Sequence, residues 1–182
     1  MKILIVGSGA REHAMAEKVA ESELVDVLYA APGNPGMESV KLAAGGLLEL
    51  ARIPVDDVSG LRLLAKEIGI DLTVVGSEVP LALGITDTFL EWGLATVGPT
   101  QAAAQLETSK VFARRFMWQH GIATAHGVHA QTFELACAYI RDLFRHEPTP
   151  LFVKADGLSA GKGAFYCSTE EPCEIVGWSI NI

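Results

Sequence analysis

Short aliphatic runs alternate with amphipathic stretches through residues 1–100, and Gly, Pro or Asp marks most junctions. Lys2 to Val6 is an unbroken β-branched and aliphatic run, the pattern of a strand buried on both faces. Gly7 to Ala10 turns the chain into a helix over residues 11–21. Val25 to Ala30 reads as a second buried strand, ending in the Pro- and Gly-rich loop Ala31 to Gly36. A third short strand is expected at Arg52 to Val55. Asp56 or Asp57 then caps a helix whose apolar positions are Val58, Leu61, Leu64, Ala65 and Ile68. Asp71 to Val75 predicts a fourth strand, and Pro80 fits the first turn of a helix that includes Leu83, Phe89 and Leu90. Leu94 to Val97 predicts a fifth strand, stopped by Gly98 and Pro99. Strands and helices alternating at this spacing predict an α/β fold, a doubly wound parallel sheet with ligands at the carboxyl ends of its strands.

Beyond Gly98 the pattern changes. Thr100 to His120 is mostly helical in period, with Phe112 and Phe116 one turn apart and Gly121 closing it. Thr124 to Ala130 predicts a strand, and residues 132–145 an amphipathic helix built on Phe133, Ala136, Cys137, Ile140 and Phe144. A strand ending at Lys154, a glycine-rich stretch over 155–163 and a strand at 164–167 complete a small α+β unit. The expected organisation is a Rossmann-like domain over 1–100, a helical connector over 101–122 and a second, smaller unit over 123–182.

Composition narrows the classes of function. The 182 residues hold 14 basic against 22 acidic side chains, a net charge of −8, which lacks the basic surplus that non-specific nucleic-acid binding needs. No apolar run approaches the roughly 18 residues that span a bilayer, so no membrane partner is expected. Four apolar residues before Gly7, then Arg11 and Glu12, do not make a signal peptide. Cys137, Cys167 and Cys173 form no close pair, which suits a reducing, cytoplasmic setting. With 49% apolar residues a buried core is assured, so 18 glycines point to tight turns and close ligand approach rather than to a flexible linker.

Gly7 and Gly9 supply the first two glycines of a dinucleotide fingerprint, but Glu12 stands at the third. Tyr29, Ala30 and Ala31 occupy the place of the acidic residue that would hold a ribose, so a nicotinamide-dependent enzyme is disfavoured. The helix start can still meet a phosphate or carboxylate, with Arg11 adding a forked cation. Loops 32–36, 76–80 and 98–100 are expected at the same sheet edge, and Asn34 and Glu78 are the side chains there suited to a sugar hydroxyl or an amine. Residues 151–163 are the most specific segment: a strand delivers Lys154 to a loop of small residues from which only Asp156 and Lys162 project large polar groups. Small residues let backbone N–H groups close over phosphate oxygens while lysines offset charge. Gly157 to Lys162 is not a P-loop, having three residues between its glycines and Gly163 where Ser or Thr belongs. His13 beside the first turn is as suited to packing as to chemistry. His126 and His129 would face opposite sides of the expected strand, which is poor for a shared metal.

The stretches Gly7 to Ala14, Ala31 to Asn34, Asp71 to Gly76, Glu78 with Pro80 and Leu81, Gly98 and Pro99, Ala104 to Glu107 with Ser109 and Lys110, and Lys154 to Gly163 together resemble the phosphoribosylamine–glycine ligase family of purine biosynthesis, the glycinamide ribonucleotide synthetases, from residue 1 to about residue 163. The resemblance implies a pre-ATP-grasp domain followed by a truncated ATP-grasp lid. It implies an ATP-dependent ligation of glycine to 5-phosphoribosylamine through glycyl phosphate. It places Gly9, Ala10, Arg11, Glu12, Asn34 and Glu78 on the phosphoribosylamine side. On the ATP side it places Lys110, Lys154, Gly157, Leu158, Ser159, Ala160, Gly161, Lys162 and Gly163. It implies Mg²⁺ for the full enzyme, with the carboxylates that hold the ion outside this chain. Ala10 stands for a usual Gly, Ser77 for a usual Pro and Ser159 for a usual Ala, and the pattern diverges after Ala164. The expectation is therefore an incomplete ligase without activity by itself, the alternative a non-catalytic sugar-phosphate or nucleotide-binding module. No sequence signal sets the oligomeric state.

Overall fold

The computed structural model describes residues 1–146, 149–159 and 161–169. The chain divides into two compact units, Met1–Gln105 and a second beginning at Leu106.

The first unit is built on a five-stranded, fully parallel sheet. Its strands are β1 (Lys2–Gly7), β2 (Val27–Pro32), β3 (Glu49–Leu50), β4 (Leu72–Val75) and β5 (Thr96–Val97), in the order β3-β2-β1-β4-β5. Successive β1 side chains enter opposite layers, as a strand covered on both faces requires. Ile3 and Ile5 pack with Leu28 and with Ala16 and Ala20 of α1 (Ala10–Ala20). Leu4 and Val6 pack with Leu61 and Ala65 of α2 (Val58–Ile68) and with Ile85 and Phe89 beyond β4. Each fully buried Leu, Ile or Phe stabilises the unit by about 1.5–3 kcal/mol. Asp57 is the residue that caps α2, its carboxylate accepting from the Gly60 N–H at 2.9 Å.

Four expectations need correction. The third strand lies at Glu49–Leu50, not at 52–55, where the chain has left the sheet. The helix expected after Pro80 is two short helices, α3 (Glu78–Ala82) and α4 (Ile85–Glu91), because Gly84 adopts φ 77° between them. The helix expected over Thr100–His120 breaks at Ser109 into α5 (Gln101–Thr108) and α6 (Lys110–Gln119). Thr124 to Ala130 forms no strand. Its chain is irregular and is held by Arg114, which donates to the Ala125 carbonyl at 2.8 Å. His126 and His129 therefore do not lie on opposite faces of a strand.

In the second unit α7 (Phe133–His146) covers one face of an antiparallel hairpin of β6 (Leu151–Lys154) and β7 (Ala164–Cys167). Cys137 and Ile140 form its small core with Phe133, Phe144, Leu151 and Val153. Cys167 is also buried, which pushes its thiol pKa up, and Cys173 lies outside the described residues. Among the described residues no helix is long and apolar enough to cross a membrane.

Candidate functional site

In the first unit the carboxyl ends of β1, β2 and β4 bring three of the expected loops together. Gly33 donates to the Gly7 carbonyl at 3.2 Å and Gly76 to the Val6 carbonyl at 3.0 Å, so the turns leave the sheet at one level. Asn34 binds the Ser8 carbonyl through Nδ2 at 3.0 Å and accepts from the Gly36 N–H at 2.9 Å. Its amide thus joins the second loop to the first. Arg11 spans to the third, with Nη2 at 3.2 Å from Glu78 Oε2 and Nε at 3.4 Å from Glu12 Oε1. Its side chain is 64% exposed, so the guanidinium is both oriented and accessible. His13 packs against this loop system: a Cβ on Gly36 would lie 2.9 Å from His13 Cε1. The Gly98 loop follows β5, which pairs with β4 rather than with β1.

Glu12 explains why the dinucleotide pattern is incomplete. Its side chain is 5% exposed and accepts from the Gly9 N–H at 2.7 Å. A Cβ on Gly7 would sit 2.3 Å from Glu12 Cγ, and one on Gly76 2.6 Å from Glu12 Oε1. These glycines make room for a carboxylate of the protein itself. Where a dinucleotide site would hold its acidic residue, Tyr29 faces Glu49 across β2 and β3. Burial, then the Glu49 charge and hydrogen bond, raises the Tyr29 pKa.

In the second unit Lys110, the first residue of α6, donates through Nζ to the Gly157 carbonyl at 2.8 Å. Gly157 and Gly161 adopt φ 86° and 77°, left-handed conformations that glycine takes without a Cβ penalty. Lys162 N–H donates to Ser159 and Ala155 N–H to Gly163, both at 2.8 Å, which closes the loop at the mouth of the hairpin. Leu158, Lys162 and Lys154 are exposed. Ala160 lies outside the described residues.

Three residues of the hairpin and its loop stand outside the expected site. Phe152 and Tyr166 pair across the hairpin with ring centroids 5.3 Å apart, on its exposed face, with Lys154 Nζ 6.0 Å from the Phe152 ring. The alternation of Leu151 and Val153 inward with Phe152 and Lys154 outward was the available signal. Asp156 is the third. Partial burial raises its pKa, but hydrogen bonds from Val111, Ser109, Gly157 and Lys110 outweigh burial and hold the carboxyl below its ordinary range. Among the described residues no group of three or more His, Cys, Asp or Glu is placed to hold a metal. The donor set among the described residues thus does not fit a magnesium site.

The family described as "Phosphoribosylglycinamide synthetase, N domain" matches residues 1–107, and "Phosphoribosylglycinamide synthetase, ATP-grasp (A) domain" matches residues 108–177. A phosphoribosylamine–glycine ligase of Vibrio vulnificus is 47% identical over 174 residues, covering 96% of this chain and 38% of the relative. One of Allochromatium vinosum is 49% identical over 170 residues, covering 90% and 36%. The crystal structure of a phosphoribosylamine–glycine ligase from Thermotoga maritima matches with a TM-score of 0.65 at 30% identity, covering 96% of this chain and 38% of that one. A biotin carboxylase–beta-gamma-ATP complex from Campylobacter jejuni matches with a TM-score of 0.72 at 16% identity, covering 98% and 41%, a likeness of fold alone. The chain therefore spans well under half the length of these relatives. Two family matches in tandem, on a parallel-sheet unit and on a hairpin unit with a glycine loop, place the chain in the phosphoribosylglycinamide synthetase (phosphoribosylamine–glycine ligase) family.

Proposed function

We propose that the chain supplies the sugar-phosphate side and the nucleotide lid of an ATP-dependent ligase that joins glycine to 5-phosphoribosylamine. In that reaction the γ-phosphoryl group of ATP passes to a glycine carboxylate oxygen and ADP leaves. The amine nitrogen then attacks the acyl carbon, the C–O bond to phosphate breaks and the nitrogen sheds a proton, giving glycinamide ribonucleotide. The observation that carries the reading is the joining of three loops at one sheet edge by Asn34 and by the Arg11–Glu78 pair. Arg11 offers an exposed forked cation to a sugar phosphate, and Glu78 and the Asn34 amide stand where hydroxyl or amine groups are oriented. In the lid, Lys110, Lys154 and Lys162 offset the charge of a transferring phosphoryl group, and the glycine loop offers backbone N–H groups. A reducing cytoplasm belongs to the same proposal, on the cysteine usage.

Calorimetry on the 182-residue chain tests it. Ribose 5-phosphate and ATP are each expected to bind saturably, and Arg11→Ala to weaken ribose 5-phosphate by about tenfold, about 1.4 kcal/mol. Binding of neither ligand, or binding of NADH instead, overturns the reading. Because the relatives are much longer, these residues alone are expected to show no ADP release dependent on glycine and phosphoribosylamine.

A further inference from the structure

Two links join the start of the glycine loop to the N-terminus of α6. The Asp156 carboxylate accepts from the Ser109 hydroxyl at 3.1 Å and from the Val111 N–H at 3.2 Å. In the opposite sense, Lys110 donates to the Gly157 carbonyl at 2.8 Å. Ser109 is also the N-cap of α6, its hydroxyl oxygen accepting from the Phe112 N–H at 3.1 Å. A helix start leaves its first N–H groups without helical partners and carries a partial positive charge. At α6 a serine cap and a carboxylate from the loop already satisfy both needs.

This arrangement has two consequences for a nucleotide. The start of α6 is taken by an anion of the protein, so phosphate recognition in this unit falls to the loop N–H groups and to the lysines. The loop, in turn, is anchored at its first residues by contacts outside the hairpin, whereas its far end is closed within the hairpin by the Ala155–Gly163 bond.

We propose that Asp156 is a positioning residue for the glycine loop: by pinning the loop's first turn to α6 it keeps Lys110 beside the loop and sets the register in which the loop meets phosphate. The proposal rests on the reading of this loop as a nucleotide lid. Aspartate is suited to the task because both of its oxygens accept, while every group facing it donates. Asparagine would turn an NH₂ group toward one of those donors.

The test is amide hydrogen exchange of the 182-residue chain at Ala155 and Lys162, with α7 amides as an internal reference, beside titration with ATP. Asp156→Asn is expected to speed exchange at Ala155 and Lys162 by about tenfold or more while α7 keeps its protection. It is also expected to weaken ATP binding, and Asp156→Glu, which restores the carboxylate, to recover part of that affinity. Should Asp156→Asn also strip protection from α7, Ser109→Ala decides, read against α6 amides because it removes the α6 cap together with the donor to Asp156 and leaves the charge. Exchange unchanged at Ala155 and Lys162 overturns the proposal. A wild-type chain that takes up no ATP counts against the lid reading, while the exchange comparison still decides the anchor.

Discussion

The buried Glu12 carboxylate is the residue on which the first loop system depends. One oxygen caps the Gly9 N–H; the other is buried at 3.4 Å from Arg11 Nε without hydrogen-bond geometry. Gly76, at the end of another strand, leaves the space this side chain fills. A Cβ there must displace a buried, hydrogen-bonded carboxylate, so Gly76→Ala is expected to cost about 1–3 kcal/mol. In a Glu12→Ala background the same substitution should cost little, because the clashing atoms are gone. A double-mutant cycle by urea unfolding measures this coupling, and additive costs would deny it. The sequence showed that Glu12 breaks a dinucleotide pattern. It could not show where the side chain goes, since Gly76 and Glu12 meet only once β1 and β4 pair.

At the scale of elements, those governed by local rules were legible. Helix α2 has an apolar stripe, an Asp57 cap and Gly69 in the left-handed conformation just past its end, all within one segment. Asp57→Ala is expected to destabilise the chain by about 0.5–2 kcal/mol, read as a lower denaturation midpoint with an unchanged m-value. The two-residue strand β3 was misplaced because it exists only through pairing with β2. Gly84 was legible as a glycine but not as a break: Gln101 ties this corner together, donating through its backbone to Asp87 and through its side chain to the Ala82 carbonyl, both at 2.7 Å. The strand expected at 124–130 failed for the converse reason, since alternation without a partner strand does not make a sheet.

Among the described residues the two units differ in how much they bury. The first has two apolar layers around its sheet, the second a core centred on Cys137 and Ile140. Amides of β1 and β4 are therefore expected to exchange far more slowly than those of α7 and the hairpin, in one exchange experiment on the intact chain. One contribution to the second unit's stability depends on pH. The Asp156 pKa is lowered in the folded state, so its contribution to stability is present above the ordinary carboxylate pKa and fades as pH falls through the lower folded value. Thermal midpoints of the second unit, compared between wild type and Asp156→Asn, should converge as the pH drops below the carboxylate range; a constant gap would contradict this assignment.

The amino-acid order by itself determined the parallel doubly wound unit, the capped helix α2, the glycine hairpin and the family, because these follow from short-range periodicity and contiguous motifs. Tertiary structure alone decided what the motif residues do: Glu12 fills the space its glycines leave, Asn34 and Arg11 tie loops together, and Asp156 reaches the start of α6. The physical reason is the same each time. A carboxylate, amide or guanidinium is assigned its role by the donors and acceptors around it, and here those partners arrive from distant parts of the chain only when strands pair and loops meet.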